Sequence, residues 1–481
     1  MNVCFLDEPE LEFGAGKHVD IRFGVANYGP LDFDSPLAPR QIKVGIIGSP
    51  ETVEGVQRWL IRCRTGIAAK PSKQPNLFPK FPGFTSESSF RSAVLMDTSL
   101  CRYLYPNSLK EIDKLGEQDE KVKASVTLFM EEIRYLAENT KADVIVCAVP
   151  VSILQAVRPT SLEEDEHEEL PMSTGASQLD FHDMLKAAAM KHKRPIQLVL
   201  PSTYDESKHR KLTLMGFKRK LQDEATRAWN IHSAFYYKAG GLPWRLIRDA
   251  AGLSVCHIGI TFFNSLDGKK LHTSVAQVFN ERGEGVVVQG APASLSKEDR
   301  QPHLAERDAY QLLWDALQRY RDHHFNFPAR VVVHKSSVFD QNEQSGFEGV
   351  LRECHIELFD FISMTDSYSR LFRGGAYPPL RGTLLALDES TAILYTRGSV
   401  SFFETYPGKY VPVPLLFRSD RTSETQRTLA YEILALTKMN WNNTQFDGSE
   451  PLTIRAARQV KAVLRYCGEG DPIEPAYSFY M

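Results

Sequence analysis

Apolar runs alternate with amphipathic segments through the N-terminal part of the chain. Each apolar run is continuous, and each is preceded or followed by a stretch with helical spacing of its apolar residues. Continuous apolar strands that alternate with helices are typical of a parallel sheet covered on both faces. Residues 35–200 are therefore predicted to form one doubly wound α/β domain. The predicted strands are 44–47, 142–150 and 194–201, and the predicted helices are 119–139 and 179–192.

The pattern changes after residue 201. A helix and a glycine-rich turn lead to an apolar strand, and two segments that alternate like an antiparallel pair follow it. A second helix then precedes another apolar strand, more strands and a last helix. This order is the one expected of a ribonuclease-H-like sheet, here over residues 201–481. The segments are helix 217–238, strand 255–263, HTSVAQVFN, GEGVVVQG, helix 300–323, RVVVHKS, ECHIELFDFIS, TLLALD, TAILYTRG and helix 451–466.

The N-terminal segment, residues 1–34, differs from both domains. It is rich in glycine, proline and aspartate, a composition that predicts turns and short strands packed on a larger body. It lacks the charged and then apolar pattern of a signal peptide. No apolar run approaches the ~20 residues needed to span a bilayer. We therefore expect a cytoplasmic protein that does not contact membranes.

Composition narrows the function classes further. The chain has 481 residues, of which 42% are hydrophobic and 24% charged, as in ordinary globular proteins. Its net charge is −3, but without the six acids of the run at 163–169 it would be +3, and such a run is usually a solvated loop. The seven cysteines are scattered without a CxxC pair, which argues against a disulfide framework and a structural zinc site.

Four polar side chains form the first candidate site. His182 and Lys186 are spaced i, i+4, so they project from one face of a helix. Gln197 lies on the following strand, and Lys238 ends a later helix just before an AGG turn. An imidazole, two ammonium groups and an amide could converge on one phosphate through charge-assisted hydrogen bonds. Taken alone, such a pair on a helix is more often merely solvated.

The same motifs carry a resemblance to a known family. The HxxxK pattern, the glutamine and FYYKAGGLPW resemble the guide pocket in the MID domain of Argonaute proteins. The segment at 436–457, LTKMNWNNTQFDGSEPLTIRAA, resembles the one that closes Argonaute PIWI domains, and RVVVHKS resembles a PIWI strand with a His-Arg-Asp-like end. The resemblance covers residues from about 40 to the end. It implies a short prokaryotic Argonaute, with a Rossmann-like MID domain followed by a PIWI domain and without N and PAZ domains.

The resemblance also implies which residues bind the guide. His182, Lys186, Gln197 and Lys238 match the pocket for the 5′ phosphate, with His182 where many Argonautes have tyrosine. The C-terminal carboxylate, here Met481, is implied to share a Mg²⁺ ion with that phosphate. The candidates for contact with the guide or target backbone are Arg245, Lys335, Arg381, Arg397 and Arg455.

The positions of the PIWI metal ligands lack their carboxylates. PIWI nucleases hold two divalent cations with acidic side chains. The matching positions here are Thr261, Ser336 and, near the last ligand, Arg458. A hydroxyl is a poor Mg²⁺ ligand beside a carboxylate, an arginine repels the cation, and Glu281 and Glu284 alone cannot hold two metals. We therefore expect neither a catalytic metal nor cleavage of the target by this chain.

Short Argonautes without these carboxylates typically act with a partner that carries an APAZ region fused to an effector. The effector is often a sirtuin-like or TIR domain that hydrolyses NAD. The resemblance thus implies a heterodimer that loads a guide RNA, pairs it with single-stranded DNA of an invader and activates the effector, so that NAD depletion aborts the infection. Two alternatives stay open, a degenerate guide-directed nuclease and a stand-alone binding module that blocks plasmid or phage DNA.

Overall fold

A computed structural model gives the fold of the chain in several described stretches. These are residues 2–157, 179–214, 221–247, 253–266, 270–279, 285–374, 378–408, 410–445, 448–468, 473–474 and 476–481. The described part contains no helix long and apolar enough to cross a membrane.

The N-terminal segment contributes to two sheets. Its elements are β1 (Asn2–Phe5), β2 (Leu11–Glu12), β3 (Lys17–His18) and α1 (Ile21–Tyr28). The short strands agree with the prediction from composition, whereas α1 was not predicted. This helix begins because the Asp20 carboxylate accepts hydrogen bonds from the main-chain N–H groups of Arg22 and Phe23.

The first domain is built around a parallel sheet, as the sequence predicts. The strand order is β5-β4-β7-β8, with β6 also pairing with β4, and every pair in it is parallel. All five residues of β7 are buried, which explains why the strand is a continuous apolar run. The elements are β4 (Gln41–Gly48), α2 (Pro50–Arg64), β5 (Ala93–Leu95), β6 (Cys101–Tyr103), α3 (Pro106–Lys114), α4 (Gln118–Asn139), β7 (Val144–Ala148), α5 (Val151–Ala156), α6 (Phe181–Ala189), β8 (Ile196–Val199), α7 (Pro201–Tyr204) and α8 (Glu206–Leu214).

The second domain contains a nine-stranded mixed sheet with the predicted ribonuclease-H-like order. Its strands run β1-β17-β18-β19-β16-β15-β10-β11-β12. The neighbours β10, β11 and β12 are antiparallel, and β15 lies parallel between β10 and β16. The elements are α9 (Glu224–Lys238), β9 (Arg245–Leu246), β10 (Val255–Asn264), β11 (Leu271–Phe279), β12 (Gly285–Pro292), β13 (Ser294–Leu295), β14 (Pro302–His303), α10 (Glu306–His324), β15 (Arg330–Lys335), α11 (Gln341–Glu353), β16 (Leu358–Asp366), β17 (Thr383–Ala386), β18 (Thr391–Leu394), β19 (Leu415–Arg421), α12 (Gln426–Leu436) and α13 (Leu452–Leu464).

One hydrophobic core runs through both domains. It includes Val44 and Trp59 of the first domain, Trp229 on α9, and Val460 and Met481 near the end of the chain. Helix α9 is buried on nearly all sides, as expected of a helix inside a large protein. The two domains are therefore packed together, and the end of the chain lies against the first domain. The predicted boundary at residue 200 stays a prediction.

Candidate functional site

Helix α6 places one buried lysine at the junction of the two domains. The Asp180 carboxylate caps the helix by accepting from the Asp183 N–H at 2.9 Å. Phe181 and Leu185 anchor the helix in the core. Lys186 lies in its last turn, is 6% exposed, and donates from Nζ to the main-chain oxygen of Tyr480 at 2.9 Å. The ammonium group is thus held at the end of the chain.

A second lysine reaches the same place from α9. Lys238 is the last residue of that helix and is also buried. Its Nζ donates to the Ile196 main-chain oxygen at 2.8 Å, to Gln197 Oε1 at 2.7 Å and to the Met481 main-chain oxygen at 2.8 Å. We call Lys186, Gln197, Lys238 and the main-chain oxygens of Tyr480 and Met481 the two-lysine pocket. The structure therefore brings together three of the four predicted phosphate ligands.

The electrostatics of the pocket favour an anion. Burial lowers the pKa of Lys186 to about 8, although the nearby carboxylates of Asp183 and Asp180 oppose the effect. Burial also holds the pKa of Lys238 well below its ordinary value, and the positive charge of Lys186 adds to that shift. Among the described residues, no aspartate or glutamate side chain forms an ion pair with either ammonium group. An anion bound here would compensate two buried cations that the oxygens of the pocket and the nearby carboxylates satisfy only in part.

His182 lies one helical turn before Lys186, with its ring exposed. Its Nδ1 is 2.8 Å from an Asp183 carboxylate oxygen. Asp180, His182 and Asp183 each offer one atom that could bind a metal, and these three atoms lie within 4.8 Å of one another. The three side chains could therefore hold a metal ion. His182, the fourth predicted phosphate ligand, therefore lies at the rim of the two-lysine pocket, where its ring contacts the Asp183 carboxylate.

The Mg²⁺ ion expected beside Met481 fits the pocket poorly. The Met481 oxygen and Gln197 Oε1 are the oxygen ligands that Mg²⁺ prefers. Both oxygens, however, accept hydrogen bonds from the Lys238 ammonium group. A cation bound to them would meet that ammonium group at close range. In this arrangement the two-lysine pocket suits an anion better than a metal ion.

The positions predicted to replace metal ligands lie on neighbouring parallel strands. Thr261 is buried on β10. Ser336 directly follows β15, and its N–H donates to the Ile260 carbonyl at 3.1 Å. Arg458, on α13, pairs with Glu450 at 3.1 Å. Thr261 and Ser336 therefore lie side by side towards the carboxyl ends of the neighbouring strands β10 and β15. Glu281 and Glu284 lie outside the described residues.

Helix α13 crosses the sheet closely beside these positions. A Cβ atom added at Gly259 would lie only 2.0 Å from the Thr453 carbonyl oxygen. His334 Nδ1 lies 2.7 Å from the Thr453 hydroxyl. Burial holds the pKa of His334 well below its ordinary value, so the ring is neutral. The absence of a side chain at Gly259 thus lets the helix pack against β10.

Two of the five backbone candidates are interior residues. Lys335 is fully buried, and its Nζ lies 2.6 Å from a carboxylate oxygen of Glu343, which is also fully buried. Arg381 is 2% exposed and pairs with Glu8 at 2.9 Å. Because neither cation reaches the surface, neither can contact a nucleic-acid backbone in this arrangement. The acid beside Lys335 could have been anticipated, since the Asp340-x-x-Glu343 spacing is a capping-box pattern, and this box is present in α11.

The other three candidates are partly exposed. Arg245 pairs with Glu12 at 2.8 Å. Arg397 and Arg455 are half-buried, and the positive charge of Arg455 acts to lower the pKa of the half-buried Glu450 carboxyl, which desolvation raises overall. These three side chains can reach solvent at one end. The resemblance predicted Met481 beside the phosphate, and the Met481 main-chain oxygen lies in the two-lysine pocket, whereas the Tyr480 oxygen was not predicted.

Solved structures resemble the chain over almost its whole length. The Clostridium butyricum Argonaute, bound to a guide DNA and a 19-mer target DNA, matches with a TM-score of 0.64 at 15% identity, covering 98% of this chain and 53% of that one. The chain has an Argonaute-like fold. Drosophila Piwi matches with a TM-score of 0.58 at 13% identity, covering 99% of this chain and 56% of that one. Aa-Ago with externally bound siRNA also matches with a TM-score of 0.58, at 14% identity, covering 100% and 56%.

The Argonaute-like chain spans a little over half the length of these three proteins. No protein-family model matches it, and no curated protein matches its sequence. The structural matches confirm the predicted fold class, a MID-like domain followed by a ribonuclease-H-like PIWI domain. At such low identity they establish the fold alone.

Proposed function

We propose that the chain binds a guide nucleic acid, with the two-lysine pocket holding the 5′ phosphate of the guide. The observation that carries the proposal is the pair of buried ammonium groups, Lys186 and Lys238, which lack an aspartate or glutamate partner among the described residues. Burial lowers the pKa of both lysines, and for Lys186 the Asp183 and Asp180 carboxylates offset that effect only in part. The Argonaute-like fold supports the same function, since the Clostridium butyricum Argonaute structure contains both a guide and a target.

The chemistry follows from the donors. A phosphate entering the pocket replaces main-chain oxygens as acceptor for the two ammonium groups, so that each hydrogen bond then joins two opposite charges. The anion raises the pKa of both lysines, so binding takes up a proton wherever a lysine was neutral. The Gln197 amide can donate to the phosphate, and the His182 ring lies at the rim, where it can contact the guide. Base pairing with the guide then selects the target, which we propose is single-stranded DNA paired with a guide RNA.

The pocket is tested with guides that differ only at the 5′ end. Lys186→Ala removes one charge-assisted bond of about 1.5–3 kcal/mol, so the affinity for 5′-phosphorylated guide should fall roughly tenfold to hundredfold. Affinity for the 5′-hydroxyl guide should change little. The matched control is Lys191→Ala, an exposed lysine just after α6. Equal losses for both guides would show that Lys186 does not contact the phosphate. RNA and DNA guides measured side by side decide which the chain prefers.

We further propose that the chain does not cut its target. The proposal rests on Thr261, Ser336 and Arg458, which supply no carboxylate where a PIWI nuclease needs one. Guide-loaded protein incubated with end-labelled target and Mn²⁺ should leave the target intact. A discrete product cut opposite the guide would instead establish the degenerate-nuclease alternative.

The effector function is proposed for a partner protein. Resemblance to short Argonautes and the missing carboxylates support an APAZ-containing partner with a sirtuin-like or TIR domain that depletes NAD in the cytoplasm and aborts infection. The chain alone should consume no NAD. The co-purified complex should consume it only when guide and complementary target are both present. NAD loss without nucleic acid would contradict this regulation, and purification without any partner would favour the stand-alone binding module.

A further inference from the structure

Residues 68–80 form a closed surface loop between α2 and β5. The loop begins and ends at an antiparallel bridge in which Ile67 and Phe81 exchange main-chain hydrogen bonds of 2.8 and 2.9 Å. A surface loop whose ends are held together in this way is an Ω-loop, a type that frequently carries function. The loop is also held at its middle, because Leu77 is buried and its main-chain oxygen accepts from the Arg22 guanidinium at 3.0 Å. Contacts to its main chain therefore determine the conformation of the loop.

The loop carries positive charge without acidic neighbours in the sequence. Residues 55–86 contain six lysines and arginines and no aspartate or glutamate. Three of the six cations, Lys70, Lys73 and Lys80, belong to the loop, and all three are exposed. No acid among the described residues forms an ion pair with any of the three. The loop thus presents three ammonium groups that the described acids do not neutralise. We call residues 68–80 the lysine loop.

The three lysines are close enough together to contact one strand of nucleic acid. Lys70 follows Ile67 by three residues, and Lys80 directly precedes Phe81. A chain spans at most ~3.6 Å per residue, and a hydrogen-bonded antiparallel pair separates its Cα atoms by ~5.5 Å. The Cα atoms of Lys70 and Lys80 therefore lie within roughly 20 Å of each other. A strand in a double helix carries one phosphate per ~3.4 Å of axis, so about six phosphates fall within that length.

The lysine loop is attached to the second domain at a defined edge of its sheet. Asn76 Nδ2 donates to the main-chain oxygen of Phe402 at 2.9 Å. Phe402 and the backbone candidate Arg397 lie on the segment that follows β18. Strand β18 runs in the same direction as β10 and β15, because β18 and β16 are both antiparallel to β19 and β16 is parallel to β15. The segment that holds the loop therefore leaves the sheet on the side where Thr261 and Ser336 lie.

We propose that the lysine loop binds the phosphate backbone of a nucleic-acid strand through Lys70, Lys73 and Lys80. Each ammonium group contacts a phosphate and releases a cation condensed on the strand, which gives affinity without selecting a base sequence. The inference rests on the proposed function only in that the ligand is a nucleic acid. It does not involve the 5′ phosphate or the two-lysine pocket.

The test measures how the affinity for a single-stranded DNA oligonucleotide with a 5′ hydroxyl depends on salt. The variant combines Lys70→Gln, Lys73→Gln and Lys80→Gln. Each phosphate contact to a single strand contributes about 0.7 to the slope of log affinity against log salt, so the slope should become shallower by about 2. Lys73→Gln alone should remove about 0.7. An unchanged slope in the combined variant would overturn the proposal.

A matched control separates contact with the strand from the overall charge of the protein. Lys110→Gln, Lys123→Gln and Lys141→Gln together remove the same number of charges at exposed lysines of the first domain. This control should keep the salt slope of the parent, because its lysines contact no phosphate. An equal change in the control and in the loop variant would show that only the net charge matters and would contradict the assignment to the loop.

Further measurements separate the lysine loop from folding and from the two-lysine pocket. Thermal unfolding of the loop variant should match that of the parent, because the replaced side chains are exposed, and arginine at the same three positions should restore the slope. The loop variant should keep the preference for a 5′-phosphorylated guide, whereas Lys186→Ala should lose it, so each site can fail without the other. Loop-dependent binding to phosphatidylserine vesicles, with DNA affinity unchanged, would assign the loop to a membrane surface and contradict the proposal.

Discussion

Replacing Lys186 by methionine should stabilise the protein, because the buried ammonium group is unfavourable for folding. Burial lowers its pKa from the ordinary 10.5 to about 8, which corresponds to about 3 kcal/mol of lost stability when the lysine is charged. The methionine also leaves the Tyr480 carbonyl without its 2.9 Å donor, at a cost of about 1 kcal/mol. At pH 7 we therefore expect Lys186→Met to be more stable by about 2 kcal/mol.

The pH dependence gives the sharper form of this prediction. Because the pKa is lower in the folded state, the unfolded state binds more protons between about pH 8 and 10.5. The stability of the unsubstituted protein should therefore rise with pH across that window, whereas Lys186→Met should lack this rise. The advantage of the variant should be full below pH 8 and lost by pH 10.5.

Urea unfolding at pH 7, 8, 9 and 10 measures both effects, with Lys191→Met as the control at an exposed lysine. The same variant should lose the preference for a 5′-phosphorylated guide, which would be a gain of stability at the expense of function. A variant less stable than the parent at pH 7, or one with the same slope against pH, would refute the view that burial of the Lys186 ammonium group outweighs its attraction to the nearby acids.

Two further predictions concern the interior of the second domain. Gly259→Ala should lower the thermal unfolding temperature strongly, because its Cβ would lie 2.0 Å from the Thr453 carbonyl, whereas Gly116→Ala, with nothing within 4 Å, should have little effect; equal effects would show that α13 does not pack so closely. Lys335→Met should destabilise by about 3 kcal/mol because the buried Glu343 carboxylate loses its ammonium partner and keeps only His303 and main-chain N–H groups, and adding Glu343→Gln should restore part of the loss. Urea unfolding that finds no recovery in the double variant would contradict this ion pair.

The sequence predicts the two sheets because their strands carry strong patterns. The strands at the centre of each sheet are fully buried and carry apolar runs, as in β7 and in the three valines of β15. Helix α1 escaped prediction because only a cap at Asp20 marks it in a segment rich in glycine and proline. The local pattern of apolar residues is sufficient to predict a strand whose residues are all buried. It is not sufficient to predict a short helix whose start depends on one capping side chain.

The candidate site was predictable in part for a similar reason. Helical spacing placed His182 and Lys186 on one face, but it could not show that His182 faces an acid and Lys186 the interior. Lys335 and Arg381 were expected to contact the guide or target backbone, but both are buried in ion pairs. For Arg381 the partner is Glu8, which lies 373 residues away in the sequence. Long-range contacts of this kind arise only once the chain has folded.

The central claim is that the two-lysine pocket binds a guide phosphate, and a thermodynamic cycle tests it directly. Guide affinity is measured for the unsubstituted protein and for Lys238→Met, each with 5′-phosphorylated and 5′-hydroxyl guide. Because Lys238 lies at the centre of the pocket, the lysine and the phosphate should show a coupling free energy of about 2 kcal/mol. A coupling of zero, with the phosphate preference unchanged in the variant, would place the guide end elsewhere and contradict the account.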